Sequence, residues 1–386
     1  MSTLKRAISK LSKAEGSRRK QRKLIVFKDA QSYRSCLKHL RSKGIYPEKT
    51  IREIHAVCCH FHHKSDWKKL RRHPSVKRVE TDRKVRSHVL VPKPALSSLK
   101  TKQSTPWGIA KIHAPQVRNL SKPGKGIKVA VLDTGIARHP DLKTSGRCNT
   151  ITPGKSAADD NGHGTHVAGT IAALNNSYGV VGAFPSVNLY GVKVLGADGS
   201  GYISDVAEGI AWCIRNGIQV INMSLGSPEG SEALRSVIRK AHGKGIVITA
   251  SAGNEGPNNK KIDYPARYKE TIAVAASDRR NRIARFSSRG KGVDITAPGM
   301  DVLSTWYNGG YRRESGTSMS SPHAAGVSAL VLQANPRLTP KCVKRILQST
   351  AVKLKGYRTR AQGAGVIRAD LAVRAASAVG GKRRRT

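Results

Sequence analysis

The chain has 386 residues, with 70 Lys and Arg against 24 Asp and Glu, a formal net charge of +46. The length allows roughly two to three domains and a sizeable core. The charge excludes an acid-rich disordered or halophilic chain, and it is of the kind met in proteins that have nucleic acid or another acidic polymer as partner. No run of apolar residues is long enough for a transmembrane helix, so no membrane insertion is expected. The basic start, residues 1–23, never reaches an apolar stretch, so no Sec signal peptide is expected. Six cysteines (Cys36, Cys58, Cys59, Cys148, Cys213 and Cys342) contain no C-x-x-C pair and indicate neither a zinc site nor a disulfide scaffold.

Residues 1–23 read as a basic disordered N-terminus. Leu24–Phe27 then predicts a strand, Ser32–Lys43 a helix ended by Gly44, and Ile51–Phe61 a strand. Ser65–Arg72 predicts a second helix with Ser65 as N-cap, and Val76–Val85 a last strand. This β-α-β-α-β order, with room for one more strand in the middle, suits a small α+β sheet with helices on one face. Residues 87–102 have the Pro, Ser and Lys content of a linker.

After Trp107 the chain is rich in Gly, Ala and Val. Short apolar runs at 127–132, 189–195, 220–223, 246–250 and 272–275 alternate with helical stretches. That spacing predicts βαβ units in an α/β domain with a mainly parallel sheet flanked by helices. A helix is expected over 324–334, opened by a Ser-rich turn, and residues 378–386 form a basic tail.

Three segments can carry chemistry. In VAVLDTG an apolar strand ends in Asp133, at the sheet edge where open α/β folds collect functional groups. In NGHGTHVAGT, His163 stands between glycines at a helix start; His166, three residues on, has no third metal ligand and reads as structural. In ESGTSMSSPH, Ser318 lies in a turn that opens a helix, where a hydroxyl alone would be read as a cap. Taken together, a hydroxyl, an imidazole and a carboxylate are what nucleophilic catalysis by serine requires.

The order Asp, His, Ser and the segments DTGI, HGTHVAGT and GTSMSSPH resemble the three signatures of the subtilisin-like serine proteases, the subtilases. The likeness runs on through LYGVKVLGADGSG, VINMSLG and SAGNEG and covers residues 103–375. It implies a serine endopeptidase acting on polypeptides through an acyl-enzyme, in a catalytic domain over 103–377. By resemblance, Asp133 orients the imidazole, His163 is general base and then acid, Ser318 is the nucleophile, and Asn254 helps form the oxyanion hole. Gly199-Ser200-Gly201 and Ser224-Leu225-Gly226 resemble the strands that flank an extended substrate, with Ser251, Ala252 and Gly253 beside them. Gln103, Asp141, Leu174, Asn176, Tyr178 and Val180 resemble the ligands of the family's strong Ca²⁺ site. Its weaker cation site is in doubt because Gly292 falls where an acid is usual.

Asp263, in DYPAR, departs from the small residue many relatives carry beside the primary specificity pocket. An acid there would favour Lys or Arg at P1. Residues 24–86 resemble the inhibitor-type propeptide of subtilases, a ferredoxin-like fold, which implies a self-processing zymogen inhibited by its own propeptide. Self-cleavage is expected near Thr101–Lys102, or after Lys100 or Lys102 if basic P1 residues are preferred. A monomer is expected. The competing reading is a nucleic-acid-associated protein on an inactive scaffold; basic runs such as SRRKQRK leave such contact open, but no aromatic-rich basic stripe supports it. The compartment stays undecided between secretion, usual in the family, and an intracellular or virion setting. Residues 1–102 hold 29 Lys and Arg against 7 Asp and Glu, so nearly half of the net charge lies in the part expected to be removed.

Overall fold

A computed structural model describes residues 21–61, 64–88, 102–117 and 126–379. The large sheet has seven parallel strands: β6 (Lys128–Asp133), β7 (Thr144–Asn149), β8 (Asn188–Lys193), β10 (Val220–Met223), β12 (Val247–Ser251), β13 (Ile272–Ser277) and β14 (Ile295–Pro298). They lie in the order β14-β13-β12-β10-β6-β8-β7. Central strands such as β10 are buried along their whole length because helices cover both faces. One face holds the helices His163–Ala172 and Thr317–Ala334, the other the helices Ile203–Arg215 and Glu232–Gly243. The five strands expected from apolar runs are present within one or two residues. The edge strands β7 and β14 escaped that reading: TSGRCN is polar and half-exposed, and ITAP ends in proline.

The N-terminal part is a four-stranded antiparallel sheet of β1 (Gln21–Phe27), β2 (Lys49–Ile51), β3 (Ala56–Phe61) and β4 (Val76–Thr81), in the order β2-β3-β1-β4. The single strand expected over 51–61 is therefore two, separated by a 3-10 turn at Arg52–Ile54, and it supplies the extra strand the β-α-β-α-β pattern had room for. The expected final strand over 76–85 divides too, into β4 and β5 (Lys84–Ser87), which leaves the N-terminal sheet. The second helix begins at Lys64, so Ser65 lies inside it and is not its cap. The disordered stretch assigned to 1–23 ends earlier, since Gln21, Arg22 and Lys23 belong to β1; residues 1–20 lie outside the described residues.

Side chains alternate along β1 and β3 and sort into two cores. Ile25, Phe27, Val57, Cys59 and Phe61 pack with Tyr33, Cys36 and Leu40 of the helix Ala30–Ser42. Leu24, Val26, Ala56 and Cys58 point the other way and pack with Ile210, Leu234, Val237 and Ile238 of the large domain. A strand that reads as continuously apolar is thus one buried on both faces. Two carboxylates fix the contact. Asp82 accepts from the Ser204 amide (2.9 Å) and hydroxyl (2.7 Å), at the start of the helix Ile203–Arg215. Glu80 accepts from the amides of Glu232 and Ala233 (both 3.1 Å), at the start of the helix Glu232–Gly243. Each satisfies amide groups that have no partner within their own helix and meets the positive end of the helix dipole.

Candidate active site

Asp133 ends β6 and His163 begins the helix His163–Ala172. Both are buried. Asp133 Oδ1 lies 2.7 Å from His163 Nδ1 and also accepts from the Thr134 amide (2.7 Å). The carboxylate fixes the proton on Nδ1, which leaves His163 Nε2 as an acceptor, and that nitrogen has no hydrogen-bond partner among the described residues. Burial pushes the His163 pKa down, but the charge and hydrogen bond of Asp133, helped by Asp159 and Glu314, hold it above the usual histidine value. Gly162 precedes the helix at φ 110°, and a Cβ there would fall 2.3 Å from the Trp306 ring, so only glycine permits this approach.

Asp159, absent from the sequence reading, builds the turn that delivers the imidazole. Its carboxylate accepts from Thr134 Oγ1 (2.8 Å), the amides of Asn161 (3.0 Å), Gly162 (2.9 Å) and Thr165 (2.9 Å), and Thr165 Oγ1 (2.6 Å). His166 is buried, bonds through Nε2 to the carbonyls of Val302 (3.0 Å) and Arg312 (3.1 Å), and is held neutral by burial with its pKa at about 3. Those two carbonyls occupy Nε2, the one ring nitrogen bonded among the described residues, which is a structural role.

The helix expected over 324–334 starts seven residues earlier, at Thr317, so Ser318 sits in its first turn and Pro322 inside it. Pro322 has no N–H to give the Ser318 carbonyl four residues back. That carbonyl instead accepts from Ser224 Oγ (2.8 Å), while Ser318 Oγ donates to the Ser224 carbonyl (3.0 Å). This reciprocal pair fixes the helix start to the end of β10. The proline that would weaken an ordinary helix here creates the acceptor that docks the serine. In this rotamer the Ser318 hydroxyl bonds to Ser224 and not to His163.

β5 lies between β9 (Ser200–Tyr202) and β11 (Leu225–Gly226) as the middle strand of an antiparallel sheet. The residues read as substrate-flanking, Gly199–Gly201 and Ser224–Gly226, are these neighbours. Ser87 N donates to Gly199 O (3.0 Å) and His88 N to Ser224 O (3.4 Å). The His88 carbonyl accepts from Asn254 Nδ2 (2.9 Å) and from the Ser318 amide (3.4 Å). Asn254 is oriented by Thr317, whose amide (3.0 Å) and hydroxyl (2.9 Å) both donate to Asn254 Oδ1, so its NH₂ must face His88. The His88 ring enters a pocket holding Ser251 and Asp263. Ala252 pairs its backbone with Asp263 and Val274, and Gly253 approaches Thr317 and Ser288.

Gln103, Leu174, Asn176, Tyr178 and Val180 meet elsewhere, past the far end of the helix His163–Ala172. Gln103 Nε2 lies 2.7 Å from Leu174 O, 3.2 Å from Asn176 Oδ1, 3.2 Å from Tyr178 O and 3.5 Å from Val180 O. Asp141 joins them through Asn176 Nδ2 (2.9 Å) and the Val180 amide (2.9 Å).

A parallel α/β sheet carrying a buried Asp–His pair, a serine at a helix start and two N–H groups on one carbonyl defines a serine hydrolase of the subtilisin type. The subtilase family pattern matches residues 124–365, and the chain belongs to that family, whose members are serine endopeptidases. It is 48% identical over 272 residues to Subtilisin BL of Lederbergia lenta, covering 70% of this chain and all of that protein. It is 41% identical over 341 residues to the thermostable alkaline protease of Halalkalibacterium halodurans, covering 88% of this chain and 89% of the other. A third relative, Subtilisin amylosacchariticus of Bacillus subtilis subsp. amylosacchariticus, is 42% identical over 357 residues, 90% of each chain. No helix among the described residues is long and apolar enough to cross a membrane.

Proposed function

We propose that this endopeptidase is made as a zymogen that processes itself, with Asp133, His163 and Ser318 as its triad and Asn254 with the Ser318 amide as its oxyanion hole. The observation that carries the reading is the backbone carbonyl of His88 held by both oxyanion donors beside Ser318, in a chain whose His163 Nε2 is free to take a proton. Rotation of the Ser318 side chain away from Ser224 hands its proton to His163. Its Oγ then attacks the carbonyl carbon, and the developing oxyanion meets Asn254 Nδ2 and the Ser318 amide. His163 passes the proton to the departing amine, and water completes the cycle through the reverse steps. Residues 24–86 act as the inhibitor of the enzyme they precede. Their sheet covers two helices of the large domain, and Glu80 and Asp82 cap both.

Residues 89–101, which include Lys100 and Thr101 of the expected cutting region, lie outside the described residues, whereas Lys102 and Gln103 lie within them. The 1–20 and 380–386 segments, with part of the basic charge, lie outside them too.

Asp263 makes the primary pocket acidic. It is buried, and its only side-chain partner among the described residues is His88. An apolar P1 side chain would leave that carboxylate without a partner, whereas a cationic one restores it. On peptides that differ only at P1, the processed enzyme should therefore favour Lys or Arg over Phe by about tenfold or more, and Asp263→Gly should erase the difference. A strong Phe preference that survives Asp263→Gly would rule the acidic pocket out as a specificity element.

The residues also fit a calcium ion. The Gln103 amide has two N–H groups and faces four oxygens, an excess of acceptors that a cation would satisfy with the Gln103 carbonyl turned inward. Leu174 O, Asn176 Oδ1, Tyr178 O, Val180 O and the Gln103 carbonyl are hard oxygen donors, with Asp141 adding charge. A bound Ca²⁺ would supply no chemistry; it would tie residue 103 to the loop at 174–180. Melting temperature should rise with Ca²⁺ concentration through the binding range, and Asp141→Asn should flatten that rise. A melting curve indifferent to Ca²⁺ and to chelator would remove the site.

A further inference from the structure

We infer that the chain first cuts itself after His88, between His88 and Val89, and that its primary specificity pocket is built to hold an imidazole. The inference rests on the self-processing reading above and deepens it by naming the bond and the side chain.

Three features set the register. β5 is hydrogen-bonded on both sides: Lys84, Val85 and Arg86 pair with Tyr202, Gly201 and Ser200, while Arg86 and Ser87 pair with Gly226 and Leu225. Val85 is buried in one core with Leu195, Ile203 and Leu225 of the large domain, which anchors the strand three residues before His88. The His88 carbonyl then falls on Asn254 Nδ2 and the Ser318 amide. A slip of one residue would turn Val85 out to solvent and His88 out of its pocket.

The side chain fits as specifically as the backbone. His88 Nε2 lies 2.9 Å from Asp263 Oδ2, and Nδ1 lies 2.8 Å from Ser251 Oγ. Nε2–H donates to the carboxylate. Ser251 serves the other nitrogen, donating to a neutral ring and accepting from a charged one, so both protonation states keep two hydrogen bonds. Gly226 lets the ring in: a Cβ there would fall 2.3 Å from His88 Cε1. Lys84, Arg86 and Glu255 are the other charged residues lining the cleft here.

The expected cut near residue 101 has no such support. Gln103 N and Ser104 N are bonded to Ser177 O and Gly179 O (both 2.8 Å), on the loop beyond the far end of the helix His163–Ala172. The uncut chain thus seats His88 at the oxyanion donors and Gln103 in the loop simultaneously. The residues between them can reach about 50 Å when extended, well beyond the roughly 15 Å length of that ten-residue helix.

In the step itself, Ser318 Oγ bonds to the His88 carbonyl carbon and its proton moves to His163 Nε2. The C–N bond to Val89 breaks and the amine takes that proton. Water then hydrolyses the ester, leaving residues 1–88 with a free carboxylate and a second chain that starts at Val89.

The test follows the full-length chain beside Ser318→Ala by intact mass and N-terminal sequencing from the earliest times. The expected first products are residues 1–88 and a chain beginning at Val89, both absent in Ser318→Ala. Asp263→Asn should slow their appearance about tenfold or more, and should not slow the cut when His88→Phe is also present. A Ser318-dependent first cut at residues 100–103 would overturn this proposal and leave self-processing standing. No Ser318-dependent cut in a folded chain would overturn both. An equal effect of Asp263→Asn in both backgrounds would overturn the imidazole pocket. Should Asp263→Asn fail to fold, the unmodified enzyme decides the same point on chromogenic peptides ending in Lys-Val-Arg-Ser-His or Lys-Val-Arg-Ser-Phe: faster release after His supports the proposal and faster release after Phe overturns it.

Discussion

Ser318→Ala is expected to lower kcat by roughly 10⁶-fold and to leave the chain at full length, a magnitude known from removal of the nucleophile in subtilisin itself. The physical reason is that the Ser318 amide holds the His88 carbonyl together with Asn254 Nδ2, which makes the hydroxyl on that same residue the proposed nucleophile. Its neighbour Ser320 is also buried, but its hydroxyl has no hydrogen-bond partner among the described residues. Alanine keeps the Ser318 amide on the His88 carbonyl and keeps the Ser318 carbonyl for Ser224, so only the single bond from Ser318 Oγ to Ser224 O is lost from the fold. The variant should therefore fold and retain residues 1–88 in place. Full-length mass with a native melting transition checks this. Retained turnover at even a thousandth of the parent rate would point to another nucleophile.

Asp133→Asn is expected to cost about 10⁴-fold in kcat near neutral pH, the loss met when the triad carboxylate is replaced in chymotrypsin-like enzymes. The amide NH₂ favours the tautomer with its proton on the wrong ring nitrogen. The pH dependence carries a second signature. In the proposed triad His163 must be neutral to accept the serine proton, and Asp133 raises its pKa above the ordinary 6.5 against the opposing pull of burial. Activity of the parent should therefore fall away as pH drops through a midpoint above 6.5. Removing the charge leaves burial unopposed by its largest partner, so the midpoint in Asp133→Asn should move down. A kcat/KM profile with the same acid limb in both enzymes would mean that His163 is not the titrating base.

The sequence made Asp133, His163 and Ser318 legible as candidates because each lies within a short segment whose local form dictates its place. Asp133 ends an apolar strand, His163 starts a small-residue helix, and Ser318 opens another. The start of that last helix was misread because it is buried all round and contains Pro322; neither amphipathic periodicity nor the usual rule for proline locates Thr317 as its first residue. Asp159 and Thr317 stayed unnoticed for a related reason. A carboxylate accepting from five donors in a turn looks, in sequence, like any turn aspartate. His88 was invisible in a stronger sense. Its partners Ser224, Ser251, Asn254, Asp263 and Ser318 all lie more than a hundred residues on, and no local pattern marks it. The small sheet was legible as an α+β unit, but its second apolar face was not, since a strand buried on both sides looks the same whether it meets its own helices or those of another domain.

The most direct measurement is to treat the processed enzyme with a fluorophosphonate and locate the adduct by peptide mass. The expected result is one adduct per chain, on Ser318, formed with the same acid limb as peptide hydrolysis and absent in Ser318→Ala. A folded, processed enzyme that takes no adduct, or takes it on another residue, would contradict the Asp133–His163–Ser318 triad.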